Sequence, residues 1–230
     1  MKQHEQVKAV LIDLDGTMVD SAEDLNQALT SCMQQMSRPA YDLEQTRQWI
    51  GNGLDTLLHR ALSNDFNGKA NANDLDRARE YFFKAYESTN GTRSVVYDGV
   101  KEAIENFKSA GCKVVCITNK SRQFTIPLLE FVGLKDSFDL ILAGDDVQHK
   151  KPHPEALEMA MEEFSLMPEQ CLMIGDSDND ITAANRAGVA VYCVDYGYSQ
   201  GKDLSQLDII SMISSLAEIQ ISNEQKNFIN

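Results

Sequence analysis

Short runs that are apolar on both faces alternate along this chain with segments whose apolar residues return every three or four positions. Residues 7 to 12 (VKAVLI), 112 to 118 (CKVVCIT), 139 to 144 (DLILAG), 171 to 175 (CLMIG) and 189 to 194 (VAVYCV) lack a polar face. That texture predicts strands covered on both sides in a parallel sheet. Between them, residues 100 to 110, 124 to 132, 155 to 164 and 181 to 187 show helical periodicity. Gly111, Gly133 and Gly188 follow three of these segments, where helices commonly end. The alternation predicts an α/β fold: a doubly wound, mostly parallel, Rossmann-like sheet.

One stretch breaks this rhythm. Residues 21 to 92 contain no strand-like run and read as four successive helices. The first carries Leu25, Ala28, Leu29, Cys32, Met33 and Met36 on one face, and the last carries Leu75, Ala78, Phe82, Ala85 and Tyr86. Ser21 with Asp24 reads as a capping box opening the first helix. The polar NDFNGKANAND (64 to 74) reads as a loop. The expected organisation is a core built from residues 1–20 and 93–230, with 21–92 inserted as an all-helical domain.

Composition narrows the possibilities. The chain has 230 residues, 43% hydrophobic and 24% charged, with 35 acidic against 21 basic side chains and a formal net charge of −14. These are values of a folded globular protein. Such an acidic chain with no block of lysine or arginine argues against nucleic acid and against an anionic membrane surface. An anionic small molecule is admissible only where a metal ion or a few placed cations reverse the sign locally. Five cysteines, without a CxxC pair and set mostly in apolar runs, are expected to be buried thiols. The N-terminal residues lack the apolar core of a signal peptide, and no apolar run approaches the ~20 residues that span a bilayer. A cytoplasmic protein is expected, monomer or homodimer.

The chemistry gathers at predicted strand ends, where open α/β sheets place their functional groups. The first strand runs into Asp13-Leu14-Asp15-Gly16-Thr17, the second into Thr118-Asn119-Lys120, and CLMIG into Asp176-Ser177-Asp178-Asn179-Asp180. Lys151 follows DLILAG within HKKPHP. Alternation in extended chain puts Asp13 and Asp15 on one face. Two carboxylates there, with Asp176 from another strand, make an all-oxygen donor set suited to Mg2+. Asp13 is placed to attack phosphorus and form an aspartyl-phosphate. Asp15 is placed to protonate the leaving oxygen and then to activate water. Thr118 and Asn119 offer donors to phosphoryl oxygens, and Lys151 offers positive charge. Each motif alone also reads as an ordinary turn, N-cap or solvated strand end; their joint order favours a phosphoryl-transfer site.

DLDGT, the Thr118-Asn119 pair, Lys151 in KPHP and GDSDND resemble, in order, the four motifs of the haloacid dehalogenase-like hydrolases, and the helical insertion resembles that family's cap. The resemblance implies Asp13 as nucleophile and Asp15 as general acid/base. It implies Mg2+ held by the Asp13 carboxylate, the Asp15 backbone carbonyl and Asp176, with Asp180 behind them orienting Lys151 or a metal-bound water. Thr17, Asn52, Gly53, Thr118, Asn119 and Lys151 are the expected substrate contacts. The second aspartate separates the chain from the family's dehalogenases, and Asn52, Gly53 and Leu54 stand where related hydrolases and mutases carry a cap lysine or arginine. WIGNGLDTLLHRAL, GDDVQHKKPHP and YGYSQGKDLSQLDII are similar to segments of bacterial phosphoglycolate phosphatases. This implies Mg2+-dependent hydrolysis of the small phosphorylated metabolite 2-phosphoglycolate to glycolate and phosphate. The alternatives are a related phosphatase or phosphomutase acting on sugar phosphates or nucleotides and, outside enzymes, a phosphoacceptor signalling module. Arg47 and Arg60 read as solvated helix residues with a possible role toward glycolate, Tyr196 to Tyr198 as rim or core, Asp20 as a hinge, and His4, His59, His149 and His153 as surface residues.

Overall fold

The structure, a computed structural model, describes residues 7–221; His4 and the outermost residues of the expected core lie outside them. Six parallel strands form the main sheet in the order β5-β4-β1-β6-β7-β8. They are β1 (Ala9–Ile12), β4 (Lys113–Ile117), β5 (Leu140–Leu142), β6 (Cys171–Gly175), β7 (Ala190–Val194) and β8 (Met212–Ile213). In β1 all four residues are buried because alternate side chains enter two separate cores. Val10 and Ile12 pack with Ala103, Ile104 and Phe107 of α5 (Val100–Ser109), and Leu128 and Leu129 of α6 (Arg122–Phe131) join them. Ala9 and Leu11 pack on the other side with Leu157, Ala160 and Met161 of α7 (Glu155–Phe164) and with Ile181 and Ala184 of α8 (Asp178–Ala187). Both faces are covered, which explains the missing polar alternation.

The helical stretch is present as α1 (Ala22–Gln35), α2 (Leu43–Trp49), α3 (Leu54–Ser63) and α4 (Ala72–Thr89), with residues 64 to 71 in a loop before the last. Leu25, Leu29, Leu58, Phe82 and Tyr86 are among the members of a third hydrophobic cluster, to which the sheet side of the molecule contributes Phe124 and Tyr198. Two short strands bracket these helices, β2 (Val19–Asp20) and β3 (Val95–Val96), paired antiparallel. This pair and β8 go beyond the sequence reading; two-residue strands carry no periodicity to detect.

The capping box expected at Ser21 is not formed, since Ser21 makes no side-chain cap bond. Asp24 instead is fully buried and turns to the chain leaving α4. It accepts from the Gly91 and Arg93 backbone N–H groups, both at 2.9 Å, from Thr92 Oγ1 at 3.0 Å and from Ser94 Oγ. One carboxylate thus ties the entry of the helical segment to its exit.

Candidate active site

The strand order reverses about β1, which has β4 on one side and β6 on the other. A crevice therefore opens beyond its carboxyl end. Asp13 follows β1, Thr118 follows β4 and Asp176 follows β6, and the ladder holds two of them in place: Asp13 N–H donates to Ile174 O and Thr118 N–H to Leu142 O, both at 3.0 Å.

Lys151 lies at the centre, only 4% exposed. Its ammonium donates to Asp13 Oδ1 at 2.6 Å, Asp180 Oδ1 at 2.6 Å and the Ile117 carbonyl at 2.8 Å. All three of its N–H groups are matched. Burial pulls the Lys151 ammonium down, but Asp13 and Asp180 outweigh it and hold it above its ordinary value. Asp180 is fixed from its other oxygen by the Ser177 N–H and hydroxyl at the start of α8. Burial pushes the Asp13 carboxyl up to about 7, with Lys151 opposing and Asp180 reinforcing the rise. Burial and the Asp13 and Asp180 charges likewise hold Asp176 well above the carboxylate range. Asp176 accepts from Tyr198 N–H at 2.6 Å. Gly16, at φ +92°, approaches it so closely that a Cβ there would lie 2.1 Å from Asp176 Oδ2.

Asp15 meets a cation that sequence reasoning passed over. Lys120 Nζ donates to both of its oxygens, at 3.1 and 3.3 Å, and to Tyr86 Oη of α4 at 2.7 Å. Ser21 Oγ also donates to Asp15. Burial pulls the Lys120 ammonium down, while Asp15 and Tyr86 more than restore it. The available signal was position: Lys120 directly follows Thr118-Asn119 at a strand end.

Other expected contacts fall differently. Thr17 Oγ1 stands 3.3 Å from Asp176 Oδ1 and 3.5 Å from Asp13 Oδ2, fully buried among the carboxylates, and is not among the cavity-lining residues. Asn119 directs both amide hydrogens at backbone carbonyls, Gly51 O and Lys151 O, each at 3.0 Å. It ties the Gly51–Gly53 turn to the lysine segment rather than offering them to a ligand. Asn52 pairs with Asn179 and Gln200, at 3.2 and 2.9 Å, and is not among the cavity-lining residues, which include Gly51 and Gly53. Thr118 lines the cavity, and its hydroxyl accepts from Lys120 N–H at 3.2 Å, leaving its own hydrogen to donate.

Of the two arginines, Arg60 is buried and Arg47 is half-buried. Arg60 is 5% exposed, donates to the Trp49 and Phe66 carbonyls and lies over the Phe66 ring. Arg47 pairs with Asp20 at 2.6 Å and stands over the Tyr198 ring. Asp20 also accepts from Tyr198 Oη at 2.6 Å and Ala22 N–H at 3.2 Å, at the entry to α1. Tyr198 is a packed residue whose hydroxyl also receives Ser21 N–H; Tyr196 donates to Thr17 O. His59 is half-buried and accepts from Ala70 N–H. His149 and His153 are exposed, gathered with Glu155 on the outer side of the segment entering α7.

A family model described as haloacid dehalogenase-like hydrolase matches residues 10–194. The chain belongs to that family. A phosphoglycolate phosphatase of Thiobacillus denitrificans is 42% identical over 212 residues, covering 92% of this chain and 93% of its own, and one of Nitrosospira multiformis is 39% identical over 212 residues, with the same coverage. A crystal structure of a predicted phosphoglycolate phosphatase from Haemophilus somnus superposes with a TM-score of 0.87 at 31% identity, covering 93% of this chain and 96% of that one.

This haloacid dehalogenase-like hydrolase is a phosphatase, and its carboxylate cluster fits a hard cation. Ligand oxygens of Asp13, Asp176 and Asp180 lie within 4.8 Å of one another and are buried. When all three are ionised, Lys151 leaves two negative charges over, in surroundings where burial opposes each of them. A divalent ion would relieve both, and an oxygen-only donor set suits Mg2+. The hydrolase's cavity, about 200 Å³, joins this cluster to an apolar wall of Leu25, Leu57, Phe82, Phe83 and Phe124 beneath the helices. Among the described residues no helix is long and apolar enough to cross a membrane.

Proposed function

We propose that this hydrolase is a Mg2+-dependent phosphatase that converts 2-phosphoglycolate to glycolate and phosphate through an aspartyl-phosphate. The observation that carries the proposal is the buried Lys151 ammonium joining Asp13 to Asp180 at the switch point of the sheet. It holds Asp13 in one orientation, as a nucleophile requires. Asp13, Asp176 and the Asp15 backbone carbonyl would hold the ion, with Asp180 behind them; when bound, the ion offsets the negative charge of the phosphoryl group. A carboxylate oxygen of Asp13 forms the new bond to phosphorus as the bond to the glycolate oxygen breaks. Asp15, entering this step as the carboxylic acid, turns from Lys120 to that oxygen and gives it its proton. Asp15 then takes a proton from the water that attacks the aspartyl-phosphate, releasing phosphate and restoring Asp13. Thr118 donates to a phosphoryl oxygen.

Residues 21–92 act in this reading as a cap closing over a small substrate, joined to a core of residues 1–20 and 93–230. The choice of phosphoglycolate is supported by what the relatives are named and by the cavity wall. A hexose phosphate would set several hydroxyls against leucine and phenylalanine side chains that cannot pair them. The five cysteines are all free and buried, which suits a reducing cytoplasm.

The deciding experiment is a set of initial rates with Mg2+ over 2-phosphoglycolate, hexose phosphates, nucleoside monophosphates and pyrophosphate. Phosphoglycolate should give the highest kcat/KM; a value below the others rejects the substrate. Asp13→Asn should lose turnover at unchanged far-UV circular dichroism, and substantial remaining activity would reject the nucleophile. EDTA should stop turnover and added Mg2+ restore it.

A further inference from the structure

Four cations line the cavity: Arg79, Lys120, Lys150 and Lys151. Three of them are already matched. Arg79 forks onto Asp55 at 2.7 and 2.8 Å and reaches Asp76 at 2.6 Å, Lys120 is taken up by Asp15, and Lys151 by Asp13 and Asp180. Lys150 takes part in none of the ion pairs formed within 4 Å among the described residues. Its charge is felt at Asp55, but that carboxylate already receives both arms of the Arg79 fork.

Lys150 is exposed, yet its course is set by missing atoms on both sides. A Cβ at Gly144 would lie 3.0 Å from Lys150 Cε and 2.3 Å from the Asn119 carbonyl oxygen; a Cβ at Gly53 would lie 3.4 Å from Lys150 Nζ and 3.6 Å from the same oxygen. Gly144 is not among the positive-φ glycines, so what it provides is space rather than a left-handed backbone. The lysine stem therefore runs past the loop after β5, and its ammonium stands against the Gly51–Gly53 turn. That turn is tied through Asn119 to the backbone of Lys151, the neighbour of Lys150. An unmatched ammonium consequently faces the cavity that holds Asp13.

The geometry points to Lys150 as the specificity-determining residue for the end of the substrate remote from phosphorus, where it takes a carboxylate. The inference rests on the phosphoglycolate reading and deepens it by naming the group that selects the acid. A cavity of about 200 Å³ suits a carboxylate one or two carbons from the ester oxygen. An uncharged hydroxyl at that place would leave the ammonium without a counter-charge.

The test compares 2-phosphoglycolate with 2-hydroxyethyl phosphate, an uncharged-end ester of the same length, in wild type, Lys150→Met and Lys150→Arg, all with Mg2+. In wild type the ratio of kcat/KM for the acid over the neutral ester tests the substrate reading, and a ratio near one rejects that reading and this inference with it. With a high wild-type ratio, Lys150→Met should lower it about 10- to 100-fold, the range for losing a hydrogen bond to a charged group. The loss should fall on KM for the acid, and Lys150→Arg should recover part of it. A ratio that Lys150→Met leaves unchanged, or a loss shared equally by both esters and not recovered by arginine, overturns the role of Lys150 while leaving the phosphoglycolate reading in place.

Discussion

Replacing Asp24 by alanine should cost this enzyme a large part of its stability, and the magnitude can be built from the four donors it serves. The Gly91 N–H is buried, and its bond to a charged acceptor is worth about 1.5–3 kcal/mol. The Thr92 hydroxyl, Arg93 N–H and Ser94 hydroxyl are only partly buried. Water can replace the carboxylate there, so each contributes roughly 0.5–1 kcal/mol. The sum is about 3–6 kcal/mol, a fifth or more of the ~5–15 kcal/mol that keeps a typical domain folded. For a chain of this size it corresponds to a fall in Tm of roughly 6–24 °C. Asp24→Asn should lose about half as much, because its amide NH2 faces donors where one carboxylate oxygen stood. The lone tryptophan, Trp49, is buried among the helices, so its fluorescence in urea reports on the segment that Asp24 ties down, while circular dichroism reports on the whole chain. A loss under about 1 kcal/mol for the alanine variant, or equal losses for alanine and asparagine, would refute the account.

Two further outcomes follow from the same contacts. Asp20 is drawn upward by burial, but the Tyr198 hydroxyl and Arg47 outweigh this and hold its carboxyl below the ordinary 3.8. A lowered folded-state value means that the carboxylate's contribution is complete above about pH 4 and is lost as pH falls through the folded-state value. The stability gap between wild type and Asp20→Asn should thus be flat from pH 7 to 5 and close below pH 4 in urea titrations; a gap that widens with acid would reverse the sign. Gly144→Ala must push the Asn119 carbonyl away from a Cβ only 2.3 Å distant, at roughly 1–3 kcal/mol. The shift loosens the bonds from Asn119 to Gly51 and Lys151, so kcat should fall at least about tenfold; wild-type kinetics would show that the tie does not matter.

How far the sequence could be read depended on whether a feature is set by periodicity or by particular partners. Apolar runs without alternation marked five strands because both faces of β1, β4, β6 and β7 meet a core, and the same logic located the four helices through Leu25, Leu58 and Phe82. Strand ends then located Asp13, Thr118, Asp176 and Lys151, since an open sheet brings all its carboxyl ends to one edge. What periodicity cannot show is which donor is already engaged. Asn119 looks like a ligand group until both its amide hydrogens are found on carbonyls, and Arg60 looks solvated until Phe66 and two carbonyls are found around it.

The lysines show the same limit most sharply. Lys120, Lys150 and Lys151 are chemically identical in the sequence, and two of them are adjacent. Their placement separates them: Lys151 has all three N–H groups matched in the carboxylate cluster, and Lys120 is held between Asp15 and the Tyr86 hydroxyl of α4. Lys120 therefore connects the helical segment to the one carboxylate that must change partners during the proposed reaction, whereas Lys150 is left to meet the substrate. A strongly acidic chain can accept a phosphate ester that also carries a carboxylate in this way. The local charge is set by a few buried pairs, by the ion that would offset the two negative charges left over among Asp13, Asp176 and Asp180, and by one unmatched ammonium; most of the chain's other negative charge lies outside the cavity, where salt and water screen it.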